Sequence, residues 1–309
     1  EIKEGGDLVH VNLVEADLRK KNLKGSDLSN AKLNKADLSG ANLRESNFSN
    51  AHLNKAILNN ANLRDANLSN TILSTASLSS ANLSDANLSN AKLNHAYLTY
   101  AKLNDANLND ANLRSANLSN AKLNNADLSD TNLHYGNLYK ANLSGANLSN
   151  SDLSHATLIN ADLNGADLTK ANLSNASLTG ADLSDAILID ITAENLYNCP
   201  SSLPEGWVCK NKRLIFQGLP EDTEISQNSS EEAEEEINFG AISFEDLPVK
   251  VGCPAKDKDL VLRVNANKGK YVVKLSGKKG ERFYRDDDFI QSTPENSFTD
   301  YKLKFETEY

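Results

Sequence analysis

One apolar position that returns at every fifth residue is the dominant feature of the sequence. From Leu8 to Leu188 every such position holds Leu, with Phe48 as the one exception. The residue two positions earlier is small and usually Ala, while Asn, Asp, Ser and Lys fill most of the other three positions. An uninterrupted repeat of this kind predicts a solenoid in which successive repeats share one conformation and one core.

The five-residue period excludes both a regular helix and a flat sheet. In an α-helix, five residues turn the chain by about 500°, so successive Leu side chains would form no common face. In a flat strand, an odd period sends successive Leu side chains to opposite faces. The chain must therefore bend at each pentad and keep turning in one sense, so that all Leu and Ala side chains point to a shared axis.

A second, longer period predicts the number of pentads in one coil. Ser-Asn pairs that end at Asn30, Asn50 and Asn70 recur at twenty-residue intervals. Twenty residues are four pentads, which predicts a coil of square cross-section with one pentad on each side. At the usual inter-strand spacing of about 4.8 Å, about nine such coils would form a stiff rod about 44 Å long.

With these features the chain resembles the pentapeptide-repeat family, whose A(D/N)LXX pattern it follows at residues 36–40 and in dozens of other pentads. The resemblance covers about residues 7–192 and implies a right-handed quadrilateral β-helix with Leu and Ala inside. The departures are few: Val11 and Lys21 occupy the small-residue position near the start, and Ile191 occupies it near the end. Residues 1–192 are therefore assigned to the β-helix.

The segment after the repeat, residues 193–217, is expected to cap the exposed end of the last coil, because a bare coil end leaves backbone groups unpaired. The candidates for this cover are Trp207, Leu214, Ile215 and Phe216. Cys199 and Cys209 lie close together in this segment, and a disulfide between them would fit an oxidising compartment. Free thiols in a reducing compartment are the alternative.

Two further segments complete the chain. Residues 218–236 are acidic and rich in Ser, which predicts a disordered linker. Residues 237–309 are expected to form a small antiparallel β domain, so the whole fold is all-β. Residues 267–270 and 277–280 are expected to form hairpin turns between its strands. Alternating or apolar runs that predict strands lie at 260–264, 271–275 and 301–309.

The distribution of histidines weighs against catalysis. All five belong to the repeat, so no Ser-His-Asp or Cys-His arrangement can form in the C-terminal domain alone. His95 and His155 share one column of the solenoid but would lie about 14 Å apart, too far for one metal ion. We therefore predict no enzyme, no catalytic or metal-binding residues, and no cofactor.

A column of acidic residues allows two interpretations. Neighbours in this column would lie about 4.8 Å apart and could share a cation such as calcium. Screening by solvent and by the nearby Arg44 and Arg64 is the favoured alternative. The members of the column are Glu45, Asp65, Asp85 and Asp105.

Aromatic residues mark the best candidate for a contact surface, because the walls of the solenoid otherwise consist of Asn and Ser. Scattered surface tyrosines without a function are the alternative. The candidate contact residues are His95, Tyr97, Tyr100, His134, Tyr135 and Tyr139.

The charge balance favours a protein partner over nucleic acid. The net charge is −10, and no basic face is evident along the chain. The first functional hypothesis is a non-enzymatic scaffold whose rod presents a C-terminal binding domain. The resemblance also implies an alternative, because some family members mimic DNA and bind topoisomerases. The rod carries about 20 acidic and about 16 basic residues, too nearly neutral to favour mimicry. A polysaccharide-binding or cell-surface module is a second alternative.

The expected location rests on two observations. The chain contains no Met, which a cleaved signal peptide would explain, as would trimming of the terminus. No run of about 18 apolar residues predicts a membrane span. Long proteins of this family are abundant in cyanobacteria, where some are expected in the periplasm or thylakoid lumen. Export to one of these compartments and residence in the cytoplasm are both open.

Overall fold

The computed structural model describes residues 3–218 and the backbone of six strands between residues 249 and 300. The chain divides into two compact units, Glu1–Thr223 and Glu224–Tyr309. The described residues contain no helix, and hence none long and apolar enough to cross a membrane. Apart from Gly218, the predicted linker lies outside the described residues.

Parallel β-bridges between residues twenty positions apart define the first unit. They begin at Asp7↔Asp27 and continue without interruption to Asn172↔Thr192. Each coil therefore contains four pentads, as the sequence predicts. The next bridge joins Ser177 to Asn198, so the last coil accommodates one extra residue.

Each pentad closes with the same tight turn. In residues 37–41, the Ala41 N–H donates to the Leu38 carbonyl at 3.0 Å. Gly40, between them, has a φ of 64°, the left-handed conformation that a type II turn requires at its third position. The Ser39 N–H also donates to Asp37 Oδ1 at 2.9 Å. The side chain of this Asp or Asn therefore stabilises the start of the turn, which explains why Asp and Asn recur at this position of the repeat.

The core is a continuous stack of Leu and Ala. These side chains are buried from Leu18 to Leu188, and Phe48 is buried among them. At positions 46, 71, 131 and 151, where a hydroxyl residue replaces Ala, the hydroxyl donates to the Leu carbonyl three residues earlier. Thr71 Oγ1, for example, donates to the Leu68 carbonyl at 2.7 Å. The small position therefore tolerates Ser or Thr without leaving a buried polar group unpaired.

Polar side chains on the outside also connect neighbouring coils. Asn47 Nδ2 donates to Asp27 Oδ1 at 3.1 Å, and Asn67 Nδ2 donates to Asn47 Oδ1 at 3.2 Å. These contacts accompany the backbone hydrogen bonds between coils, such as Leu98 N–H to the Asn117 carbonyl at 2.7 Å. The rows of Asn therefore stabilise the stack.

The four sides of the rod are numbered in the order in which the chain reaches them. The residue with positive φ at the end of each pentad forms the corner that leads to the next side. In one coil, sides 1 to 4 carry Leu28, Leu33, Leu38 and Leu43, and corners 1–2, 2–3, 3–4 and 4–1 are Asn30, Lys35, Gly40 and Glu45. Every later residue on the same side or corner follows at twenty-residue intervals.

A hairpin covers the C-terminal end of the rod. It consists of β1, Trp207–Lys210, and β2, Arg213–Phe216, paired antiparallel. The Leu214 N–H donates to the Ala193 carbonyl at 3.3 Å, and the Leu214 side chain joins the core. Trp207 packs partly buried against the same core. The Sγ atoms of Cys199 and Cys209 are bonded at 2.03 Å, which ties the preceding loop to β1.

Two of the four residues expected in this cover are in fact exposed. Ile215 is 38% exposed and Phe216 is 42% exposed. Successive side chains of a strand point to opposite faces, so Ile215 must point away from the core that Leu214 enters. The Phe216 ring lies beside the Trp207 ring, with centroids 5.6 Å apart. The cover therefore rests on Leu214 and Trp207.

The opposite end of the rod is less protected. Leu8 and Leu13 of the first coil are only half-buried, and Val14 is 44% exposed. A first coil has one neighbouring coil instead of two, so its Leu side chains lose less contact with solvent.

The described strands of the second unit form two three-stranded antiparallel sheets, in the orders β3-β6-β7 and β4-β5-β8. Its strands are β3 (Val249–Gly252), β4 (Val261–Asn267), β5 (Lys270–Ser276), β6 (Arg282–Arg285), β7 (Asp288–Ser292) and β8 (Ser297–Asp300).

The strand pairing corrects one prediction for this unit. Asn267 faces Lys270, so the turn at 267–270 joins the paired strands β4 and β5. The segment 277–280 does not join a hairpin, because β5 pairs with β4 and β8 whereas β6 pairs with β3 and β7. A Gly-rich sequence indicates a turn but not which strands pair across it. The strand expected at 301–309 lies outside the described residues.

Candidate interaction surface

The acidic column at corner 4–1 is interleaved with arginines. Arg44 lies 3.4 Å from Glu45 and 3.6 Å from Asp65. Arg64 lies 3.5 Å from Asp65 and 3.1 Å from Asp85. Three of the four carboxylates therefore have cationic partners, while Asp105 Oδ1 accepts a hydrogen bond from Asn125 Nδ2 at 3.2 Å. This arrangement favours the screening interpretation. Throughout the described part of the chain, no three His, Cys, Asp or Glu side chains are grouped as metal ligands would be.

The six candidate contact residues lie on three adjoining parts of the rod. His134 is on side 2, and His95 and Tyr135 form part of corner 2–3. Tyr97 and Tyr139 are on side 3, and Tyr100 is at corner 3–4. The two groups of residues, around positions 95–100 and 134–139, are two coil steps apart, or about 10 Å along the axis.

Side 3 combines exposed tyrosines with an absence of charge. Tyr97 is 53% exposed, Tyr100 is 61% exposed, and Tyr139 is also exposed. From Ile57 to Thr179, every outward-facing residue on side 3 is uncharged. We call Tyr97, Tyr100 and Tyr139 the tyrosine surface. Lys140 at corner 3–4 places its Nζ 5.3 Å from the Tyr139 ring centroid, whereas Tyr97 stands on the uncharged side itself. Exposed aromatic groups of this kind can bury substantial apolar area against a partner.

A cluster of rings at corner 2–3 joins His155, placed by the sequence in the same column as His95, to His134 and Tyr135, with Arg114 as a further member that the sequence did not single out. The Tyr135 and His155 rings stack with centroids 4.8 Å apart, and His134 lies 4.2 Å from Tyr135 and 5.3 Å from His155. The Arg114 guanidinium lies 5.7 Å from the Tyr135 ring centroid. The sequence separation of Arg114 and Tyr135 could have indicated their contact, because residues about twenty positions apart occupy neighbouring coils.

His134 has polar partners of its own. Its Nδ1 lies 2.7 Å from Ser154 Oγ and 3.8 Å from Asp152 Oδ2. The imidazole is therefore held in place between the next coil and the ring of Tyr135.

Most of the histidines share one edge of the rod with unpaired cations, which corrects the expectation that the chain has no basic face. On side 2 and corner 2–3, between residues 32 and 155, Asp152 is the only acidic residue. The order of residues in the sequence does not reveal this edge, because its basic residues are scattered over more than a hundred positions. The basic edge consists of Lys32, Lys35, His52, Lys55, Lys92, His95, Arg114, His134 and His155.

Carboxylates dominate the neighbouring part of the rod. Side 1 and its two corners contain no Lys or Arg between Gly25 and Thr169. Asp110 and Asp130 stand at corner 1–2, directly beside side 2. The rod is therefore close to neutral in sum but divided lengthwise into an acidic and a basic part.

A four-sided coil with a sealed Leu core defines a β-helical repeat protein that can act only through its outer sides. The sequence profile of pentapeptide repeats matches residues 7–44, 41–79, 76–114, 111–150 and 151–188. The chain belongs to the pentapeptide repeat family. Members of this family fold as right-handed quadrilateral β-helices and are generally non-enzymatic structural repeat proteins.

Several solved structures are similar to this chain. HetL, a pentapeptide repeat protein involved in heterocyst differentiation regulation from the cyanobacterium Nostoc sp. strain PCC 7120, is 33% identical, with 66% of this chain and 90% of HetL covered and a TM-score of 0.34. Rfr23 from the cyanobacterium Cyanothece 51142 is 37% identical, with 35% of this chain and 64% of Rfr23 covered and a TM-score of 0.25. QnrB1, a plasmid-mediated fluoroquinolone resistance protein, is 21% identical, with 62% of this chain and 88% of QnrB1 covered and a TM-score of 0.33. No curated protein matches the chain.

Proposed function

We propose that the protein is a non-enzymatic interaction scaffold, in which the β-helical rod contacts a partner protein and presents the C-terminal unit. The observation that carries the proposal is the tyrosine surface. Three exposed phenol rings on side 3 and its corner, with the Lys140 ammonium 5.3 Å from the Tyr139 ring centroid, are the kind of surface that protein interfaces use. The sealed core supports the same conclusion, because Leu and Ala fill the axis of the rod from Leu18 onward.

The test of this proposal is affinity capture from a lysate of the source organism. The full chain serves as bait beside the variant Tyr97→Ser/Tyr100→Ser/Tyr139→Ser. Tyr197→Ser is the matched control, since Tyr197 is 65% exposed but belongs to the cap. A partner retained by the wild type and the control, and lost by the triple variant, would support the proposal. Equal retention by all three baits would contradict it.

The presenting role of the C-terminal unit needs a separate bait. A chain that ends at Thr223 retains the whole first unit. If the C-terminal unit binds a second partner, that partner should be absent from the captures with the shortened chain. Identical captures by both chains would assign all binding to the rod.

The acidic side 1 favours DNA mimicry as a second candidate function. A long column of carboxylates resembles the phosphate charge that a topoisomerase recognises. The basic edge opposes this hypothesis, because it lies only one side away and would repel a DNA-binding groove. Inhibition of DNA supercoiling by gyrase, lost on neutralising Asp110 and Asp130, would support mimicry over the scaffold.

A further inference from the structure

We propose that the basic edge binds an extended acidic segment of a partner protein along the rod axis. The inference rests on the proposed function, because it names the chemistry of the partner that the scaffold would hold. It concerns side 2 and corner 2–3, which adjoin the tyrosine surface but do not include it.

Cations in the middle of the basic edge lack the carboxylate partners that Arg44 and Arg64 possess. Arg44 and Arg64 on side 4 each have two carboxylates within 3.6 Å. Among the residues that the structure describes, Lys55, Lys92 and Arg114 have no carboxylate within 4.0 Å. Unpaired cations grouped on one edge of a protein with net charge −10 create a local positive potential that a carboxylate-rich ligand would neutralise.

The length of the edge also fits an extended peptide, although Thr75 and Ser115 interrupt its basic side chains at corner 2–3. Side chains at corner 2–3 recur once per coil, at steps of about 4.8 Å. From Lys35 to His155 the edge extends over six coil steps, or about 29 Å. An extended peptide rises about 3.3 Å per residue, so about nine residues would cover this length.

The ends of the edge are marked by carboxylates of the protein itself. Lys35 Nζ contacts Glu15 Oε1 at 2.8 Å. At the other end, Asp152 Oδ2 lies 3.8 Å from His134 Nδ1. The stretch between them, from Lys55 to Arg114, spans about three coil steps or about 14 Å and remains available to an external anion, so it would contact about four residues in the middle of a bound peptide.

The acidic residues at corner 1–2 favour a single acidic peptide over a nucleic acid duplex as the ligand of the basic edge. Asp110 and Asp130 stand at corner 1–2, which borders the basic edge along side 2. A duplex lying on the edge would bring its phosphates over this corner, where like charges repel. A single extended peptide can lie along corner 2–3 without reaching the acidic side.

The test is fluorescence polarisation with a labelled oligo-glutamate peptide of about twelve residues, slightly longer than the edge. The proteins are the full chain, the variant Lys92→Ala/Arg114→Ala, and the control Lys102→Ala/Lys122→Ala. Lys102 and Lys122 are exposed on side 4 in neighbouring coils, so the control removes the same charge elsewhere.

The expected result is salt-sensitive binding that weakens about tenfold in the Lys92/Arg114 variant and little in the control. Absence of binding at low salt, or equal weakening in both variants, would overturn the inference. Tighter binding of oligothymidylate or heparin with the same dependence on Lys92 and Arg114 would also overturn it, by assigning the edge to another polyanion.

The tyrosine variants separate this inference from the proposed function. The triple tyrosine variant should bind the peptide as the wild type does. If the peptide fails to bind while a tyrosine-dependent partner is still captured, the inference fails and the proposed function stands. If the peptide binds through Lys92 and Arg114 while no tyrosine-dependent partner exists, the proposed contact surface fails and the basic edge stands.

Discussion

At each corner of the coil one residue adopts a positive φ close to 60°. Gly, Asn and Asp occupy this conformation with little strain, which explains their frequency at corners such as Gly40, Asn50 and Asp65. Thr75 has a φ of 58° at the same position. A β-branched side chain is poorly suited to the left-handed region, so this residue is a point of local strain.

Replacing Thr75 should therefore stabilise the rod. We expect Thr75→Asn to raise the free energy of unfolding by about 1 kcal/mol, because Asn tolerates the left-handed conformation. Chemical denaturation of the purified chain measures the change. The reverse replacement at an equivalent corner, Asn50→Thr, should destabilise by a similar amount. A neutral result for both would show that the corners carry no such strain.

The Asp or Asn before each Leu acts through its side-chain oxygen. Asp182 Oδ1 accepts hydrogen bonds from the Ser184 hydroxyl and N–H, and these bonds lower the pKa of the Asp182 carboxyl. A lowered pKa in the folded state means that the contribution to stability is present above the unfolded Asp pKa of about 3.9 and disappears as pH falls through the folded value.

The variant Asp182→Asn should separate charge from hydrogen bonding. The amide oxygen can still accept the Ser184 N–H, as Asn172 Oδ1 accepts the Ser174 N–H at 3.0 Å. We expect slightly lower stability than the wild type at pH 7, because the contribution of the charge is missing, and a smaller loss of melting temperature than the wild type shows between pH 5 and about pH 3. Thermal melts at both pH values measure this. An unchanged acid sensitivity would show that Asp182 contributes nothing to it.

At the scale of the pentad, position determines how much a charge costs. Leu103 is fully buried on the axis, so Leu103→Asp should cost more than about 4 kcal/mol and prevent stable folding. Leu103→Ala should fold but lose about 2–5 kcal/mol. Asn107→Asp is the matched control, because Asn107 is exposed and only its Oδ1 is used, as acceptor for the Asn109 N–H. Denaturation curves of the three variants test this order.

Asn104, which follows Leu103 in the sequence, also lies at an outward position of the repeat but is not equivalent to Asn107. Its Oδ1 is buried without a hydrogen-bond partner in the described residues. A carboxylate there would lose hydration without gaining a donor, so Asn104→Asp should be more costly than Asn107→Asp. An outward position in the repeat does not by itself guarantee exposure.

The elements that the sequence predicted well are those that repeat. The coil size and the Leu and Ala core follow from a pattern that dozens of pentads restate. Where the period ends, at the hairpin β1–β2, no such redundancy exists, and Ile215 and Phe216, which were expected to cover the core, are exposed. The basic edge was missed for another reason. Residues such as Lys92 and Arg114 become neighbours only when the chain is wound into coils.

At the scale of the whole rod, each coil is stabilised mainly by the coils beside it. A coil in the middle has two neighbours, whereas the first coil has one and leaves Leu8 and Leu13 half-buried. The last coil has a second neighbour in the form of the hairpin, held by Leu214 and by the bond between Cys199 and Cys209. The two ends should therefore differ in local stability.

Hydrogen exchange of the full chain tests this difference. Backbone amides of the middle coils should exchange slowest, those of residues 7–22 fastest, and those of residues 172–192 at an intermediate rate. Closing a loop of about ten residues contributes about 2–3 kcal/mol. Cys199→Ser/Cys209→Ser should therefore speed exchange in residues 172–192 and leave residues 7–22 unchanged. Equal acceleration at both ends would mean that the rod opens as one cooperative unit, and no acceleration would mean that Leu214 and Trp207 hold the cover without the disulfide.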